Sequence, residues 1–205
     1  MKWILCCLAG LALTNPGVKN PNPWVKVNEQ KDLVIWNREV PGSSVRELRA
    51  EAYVDFPVDK VWEVIDDIEK YTEFMPYIEQ IKVVERAPDK VVAYHRFDAP
   101  LVAERDYTLT ILSEMDVEKK IYRRTWSATN DKGPKSVSGI VRVDICDGSW
   151  MLTADGPNRT RLVYFLHTNP GGSVPMWIAN KANSVSLPDL FTAIRNRTKD
   201  SKWTR

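Results

Sequence analysis

The stretch NPGGSVPMWIANKANSVSLPDLFTAIRNR, residues 169–197, decides the fold. Gly171 and Gly172 let the backbone turn at positive φ, and Pro175, with its fixed φ, suits the first turn of a helix. The spacing predicts a helix that starts near Pro175 and continues without glycine to Arg197. At 1.5 Å per residue that is a rod roughly 33 Å long, enough to span a small domain. Its apolar residues change sides: Val174, Ile178, Ala182 and Val185 share one face, whereas Leu187, Leu190, Phe191 and Ile194 share the opposite one. The switch falls beside Pro188, where the missing amide hydrogen and the crowded preceding turn predict a bend. A rod with two apolar faces needs a large partner.

The upstream sequence supplies one. Residues 33–40 and 45–54 are rich in β-formers around Pro41-Gly42-Ser43-Ser44 and read as a hairpin. Val61, Trp62, Val64, Ile65 and Ile68 then recur at helical spacing, and Tyr71, Phe74 and Met75 continue as a second short helix up to Pro76. From there the helical period gives way to short β-rich runs at 78–85, 91–97, 105–112, 121–128, 139–145, 149–153 and 161–167. Strands in series followed by one long helix make an α+β domain, with about nine antiparallel strands curling around the C-terminal helix. Alternation puts Val91, Ala93, His95 and Phe97, and Tyr107, Leu109 and Ile111, on the inner face, the candidate wall of a pocket. Arg96, Thr108 and Thr110 are expected to face water.

Composition narrows the class. The 205 residues suffice for one domain with a sizeable core, and 43% hydrophobic content is ordinary for one. With 29 basic and 27 acidic side chains the net charge of +2 offers no field for nucleic acid, which is not an expected partner. Eight tryptophans suit places where an apolar body meets a polar edge. Residues 1–14 have the layout of a secretory leader: Lys2, a short apolar run and small residues at its end. That run is too short to cross a bilayer, so an exported, periplasmic or secreted protein is expected rather than an anchored one. Residues 15–23, with three prolines, read as a tether, leaving 24–205 as the domain. Without the leader only Cys146 remains, so no internal disulfide is expected.

Arg105-Asp106-Tyr107, Gly139-Ile140-Val141-Arg142, Tyr164-Phe165 and then Asn169-Pro170-Gly171-Gly172, Pro175, Trp177 and Pro188, together with Trp62, occur in an order that resembles the START family of lipid-transfer domains. The family belongs to the helix-grip superfamily, and the resemblance runs from about Trp24 to Arg197, most nearly to phosphatidylcholine-transfer-like and bacterial members. It implies a tunnel between the curved sheet and the C-terminal helix, lined by Ala93, His95, Phe97, Leu101, Tyr107, Leu109, Ile111, Trp126, Trp177, Ile178, Ala182 and Val185. It further implies a gate built from that helix and from loop 98–104, with Pro100, Gly171, Gly172 and Pro188 as hinge points. The implied guest is a lipid, whether phospholipid, sterol or another acyl or isoprenoid molecule, handled by a monomer that meets membranes transiently. Where cholesterol-binding members place an acid and a base, this chain has His95 and Ile111. Arg105 and Asp106 are expected to make structural pairs near the gate rather than to touch the ligand.

The chemistry-bearing residues are sparse. His95 and His167 lie on separate strands without metal-ligand spacing, no serine sits in a nucleophile elbow, and Gly171-Gly172 lacks a phosphate-cradling lysine. No metal, cofactor or catalytic residue is therefore expected. Two readings remain: a non-enzymatic lipid carrier, and a helix-grip enzyme of the cyclase or dehydratase type in which His95, Tyr107 or Asp106 would move protons. Hiding hydrocarbon from water is worth about 0.8 kcal/mol per methylene, and this favours a closed tunnel for any acyl guest in transit.

Overall fold

The structure, a computed structural model, describes residues 22–100, 102–172, 174 and 176–200, and for 176–185 the backbone only. The expected leader and most of the tether lie outside the described residues. Strands β1 (Val25–Gln30), β2 (Leu33–Arg38) and β3 (Glu47–Val54) come first, followed by helices α1 (Val58–Asp66) and α2 (Tyr71–Phe74), which a 3-10 turn at Ile68–Lys70 joins. Strands β4 (Ile78–Ala87), β5 (Lys90–Phe97), β6 (Arg105–Asp116), β7 (Ile121–Ala128), β8 (Val141–Arg142), β9 (Ile145–Ala154) and β10 (Thr160–Asn169) lead to α3 (Met176–Lys199), with Pro188 inside it.

Nine strands form one antiparallel path in the order β1-β2-β3-β10-β9-β7-β6-β5-β4, and β8 adds a short parallel pair to β6. The expected curved sheet and C-terminal helix are therefore both present. Residues 139–145 yield two paired residues rather than a full strand. Asp106 explains where the pairing stops: Arg142 donates to both its carboxylate oxygens at 2.6 and 2.9 Å, and Val141 and Val143 donate backbone hydrogens to the carbonyls of Glu104 and Asp106. Strand β1, absent from the sequence reading, has lost the alternation that reveals strands, because it lies at the edge with both faces largely exposed.

Thr108 does not face water as expected; it is fully buried. Segment 129–134 folds across it: the Thr108 amide donates to the Asn130 side chain at 2.8 Å, and the Thr129 amide to the Thr108 carbonyl at 2.8 Å. A Cβ on Gly133 would stand 1.8 Å from the Thr108 hydroxyl oxygen, so glycine lets this segment lie directly on the Thr108 side chain.

The core has two parts. In the larger, Leu187, Phe191 and Ile194 of α3 meet β2, β3, β9, β10 and α1, with Phe191 fully buried edge-on to Trp150 at 5.8 Å and near Tyr164 at 6.4 Å. The face of α3 that follows the phase switch is thus the one on the sheet. In the smaller, Ile68, Val91, Ala93, Leu109, Ile111, Val143 and Cys146 pack over β5 and β6. Truncating Phe191→Ala should cost about 3–5 kcal/mol of unfolding free energy in urea, as expected for a large aromatic lost from a packed core. The exposed Thr192→Ala should change it by less than about 0.5 kcal/mol.

Candidate functional site

The two core parts do not meet everywhere. Between them lies a cavity of about 260 Å³. Its wall takes Trp150, Tyr164 and Leu187 from the larger part and Ile68, Leu109, Ile111, Val143 and Cys146 from the smaller, and Tyr71, Trp126 and Leu166 pack against both. The lining is mostly carbon.

Of the expected lining residues, His95, Phe97, Tyr107, Leu109, Ile111 and Trp126 border this space. Ala93 does not: it is fully buried in the smaller core part, its short side chain packed before it reaches the hollow. Leu101 lies outside the described residues, as do the side chains of Trp177, Ile178, Ala182 and Val185. Pro100 is exposed in the loop between β5 and β6. Gly171 and Gly172 hold φ of 62° and 66°, the left-handed region where a Cβ is strained, so the turn into α3 needs them. Pro188 stands between Leu187 and Leu190, both on the wall. The sequence reading missed Trp150, Tyr164, Leu166, Thr168 and Arg105. Alternation along Leu162, Tyr164, Leu166 and Thr168 carries the signal for the β10 side, while Trp150 is found only through its pairing with Tyr164.

His95 is buried and paired in register with Tyr107, their rings stacked 5.3 Å apart at 16°. Its Nδ1 lies 3.1 Å from the Ala93 carbonyl, which only accepts, so Nδ1 carries the proton and Nε2 is left as an acceptor. Burial lowers the imidazole pKa to about 4. Burial likewise raises the phenols of Tyr107 and Tyr164, and pushes the Cys146 thiol up to about 12 against a smaller lowering from Thr168 and Trp126. At neutral pH all four are uncharged. Arg124, also on the wall, donates to the Ile65 carbonyl, Asp66 and Ser113 and lies over the Trp62 ring, so its charge is already matched.

Arg105 and Asp106 do not pair with each other. Asp106 is held by Arg142 and by the Tyr94 hydroxyl at 3.2 Å and is absent from the cavity wall, which removes it as a proton-moving candidate there. Arg105 borders the cavity and ties it to the turn before α3: Nε donates to the Pro170 carbonyl at 3.0 Å and Nη1 to the Ala103 carbonyl. Its register partner Val141 lies under the two glycines, 3.1 Å from where a Cβ of Gly171 would stand. Hydrogen-bonding groups face the cavity, but none of the shifted groups titrates near neutrality as an efficient general acid or base must.

A wide antiparallel sheet gripping a terminal helix over a carbon-lined hollow defines the helix-grip class, which includes both carriers and cyclases. Residues 54–195 match the family described as polyketide cyclase / dehydrase and lipid transport, and the chain belongs to that family. It is 28% identical over 167 residues to the phosphatidylcholine transfer protein of Rattus norvegicus, covering 77% of this chain and 71% of that one. The crystal structure of a STAR-related lipid transfer protein fragment from Xanthomonas axonopodis superposes with a TM-score of 0.78 at 24% identity, over 86% of this chain and 99% of that one. The Zhui aromatase/cyclase from Streptomyces superposes less closely, at a TM-score of 0.50 and 20% identity, over 75% and 90% of the two chains. The START resemblance carried by the sequence motifs therefore holds.

The buried imidazole makes stability pH-dependent in a defined direction. Between about pH 6.5, its usual value, and about 4, the unfolded chain binds a proton that the folded chain refuses, so stability falls as pH falls through this window. Unfolding free energies from urea at pH 7 and pH 4.5 should show a loss attributable to His95 of about 2 kcal/mol. That part should be missing from His95→Gln, whose side chain does not titrate.

Proposed function

We propose that this protein is a non-enzymatic carrier that holds one hydrophobic lipid in the cavity between the sheet and α3 and keeps it from water in transit. The observation that carries this reading is the lining: carbon for most of its area, with an imidazole, two phenols and a thiol that stay neutral at physiological pH. Such groups orient a guest by hydrogen bonds without transferring its protons. The description of the lipid-transfer relatives points the same way. The walls of the cavity come from a single chain, which supports the reading of a monomeric carrier. Loading and release require the turn at Gly171-Gly172 and loop 98–104 to move at a membrane surface, a gating step of the kind common in closed binding sites. The leader read at residues 1–14 supports a carrier that works outside the cytoplasm, in the periplasm if the source is bacterial and secreted otherwise.

An enzyme of the cyclase or dehydratase type is the second reading, favoured by the stacked His95 and Tyr107 facing one cavity and by the likeness to the Zhui aromatase/cyclase. The depressed imidazole pKa weighs against it, because a base near 4 takes few protons at neutral pH.

Native mass spectrometry of the purified chain, with solvent extraction, tests the proposal. One lipid per chain is expected, and Leu109→Trp, which fills the hollow with an indole, should reduce occupancy about tenfold while the fold persists. Protein that emerges empty and takes up no lipid from vesicles, or a variant that loads as well as the parent, would contradict it.

A further inference from the structure

Arg105 is a charge without a counter-ion. It is 5% exposed and borders a largely apolar cavity. The acids on either side of it in sequence are engaged elsewhere: Glu104 accepts from Arg96 through both oxygens, and Asp106 from Arg142 through both oxygens. Among the described residues no ion pair includes Arg105. Two of its nitrogens are spent on the Pro170 and Ala103 carbonyls, and Nη2 has no partner there. A buried guanidinium left this way is costly, and an oxyanion arriving in the cavity would supply both the missing charge and the missing acceptor.

Its position sets the direction of the guest. Arg105 opens β6 beside loop 98–104 and is paired in register with Phe97; His95 and Tyr107 form the next inward-facing pair, and Leu109 and Ile111 follow along the strand. Polar recognition is therefore at the loop end and hydrocarbon beyond it. The volume of about 260 Å³ lies just below the range of ligand pockets, about 300–1,000 Å³, and suits one chain rather than two. We infer that Arg105 recognises the oxyanion, carboxylate or phosphate, of a single-chain acidic lipid whose tail extends past His95 into the hollow. The inference rests on the carrier reading and names the class of its cargo.

Isothermal titration of the full chain with palmitic acid, with the alcohol of the same chain, and with inorganic phosphate tests it. The acid should bind roughly tenfold or more tightly than the alcohol, the difference that one hydrogen-bonded ion pair makes. Arg105→Gln should abolish that preference, so that acid and alcohol bind with equal affinity. Because the wild-type comparison needs no variant, it decides the matter even if Arg105→Gln fails to fold. Acid and alcohol binding alike would leave the carrier reading intact and overturn the assignment of Arg105; binding of neither would overturn both. Inorganic phosphate in about tenfold excess should leave palmitate bound. Phosphate that displaces palmitate but not the alcohol would make Arg105 a site for free anions and overturn the lipid assignment.

Discussion

A single helix is too narrow for the sheet beneath it. With side chains a helix is about 10–12 Å across, whereas strands lie about 4.8 Å apart, so nine of them in one path present far more inner surface than one helix covers even after curling. The described side chains of helix α3 resolve this on one side. Leu187, Phe191 and Ile194 settle on β2, β3, β9 and β10, and α1 closes against them. Over β5 and β6 the apolar face is left to pack on its own neighbours, and the space between the two halves is the cavity. Trp126, Tyr71 and Leu166 belong to both halves and bound the seam. The hollow follows from the mismatch between sheet and helix; no special cluster of residues creates it.

The same geometry governs its electrostatics. Groups that project into the seam are cut off from water, and each responds by remaining neutral: the imidazole by losing basicity, the phenols and the thiol by losing acidity. Arginine cannot do this, and burial lowers the Arg105 pKa only from a value far above neutrality. It stays charged while holding the Pro170 carbonyl at the turn into α3. The side chain with the least satisfied charge at the cavity is therefore also the one that fastens the hinge. Asp106, one residue on, performs the structural task on the opposite face, where Arg142 and Tyr94 hold it and β8 is drawn onto β6.

Much of the fold was legible because its signals are local. The glycines at 171 and 172 and the alternation along β5 and β6 each state a backbone requirement that the structure meets. The part of the wall that β5 and β6 supply was legible for the same reason, since His95, Phe97, Tyr107, Leu109 and Ile111 alternate on two neighbouring strands. What escaped depends on contacts distant in sequence. Thr108 alternates as a solvent-facing residue, but segment 129–134 covers it; β1 shows no pattern because neither of its faces is buried; and Ala93 points inward but is too short to reach the hollow. Arg105 and Asp106 were expected in structural roles, but the Pro170 carbonyl and the Arg142 side chain that hold them lie 65 and 36 positions away, beyond what local pattern can name.

The seam can be probed directly by light. Trp126 and Trp150 both border it, Trp150 from the larger half of the core and Trp126 packed against both. Titrating the chain with a fatty acid brominated along its tail should quench tryptophan emission and saturate at one guest per chain, with a smaller amplitude in Trp126→Phe. Emission that stays constant through stoichiometric addition, or quenching that never saturates, would mean that hydrocarbon does not enter the space between the two halves of the core.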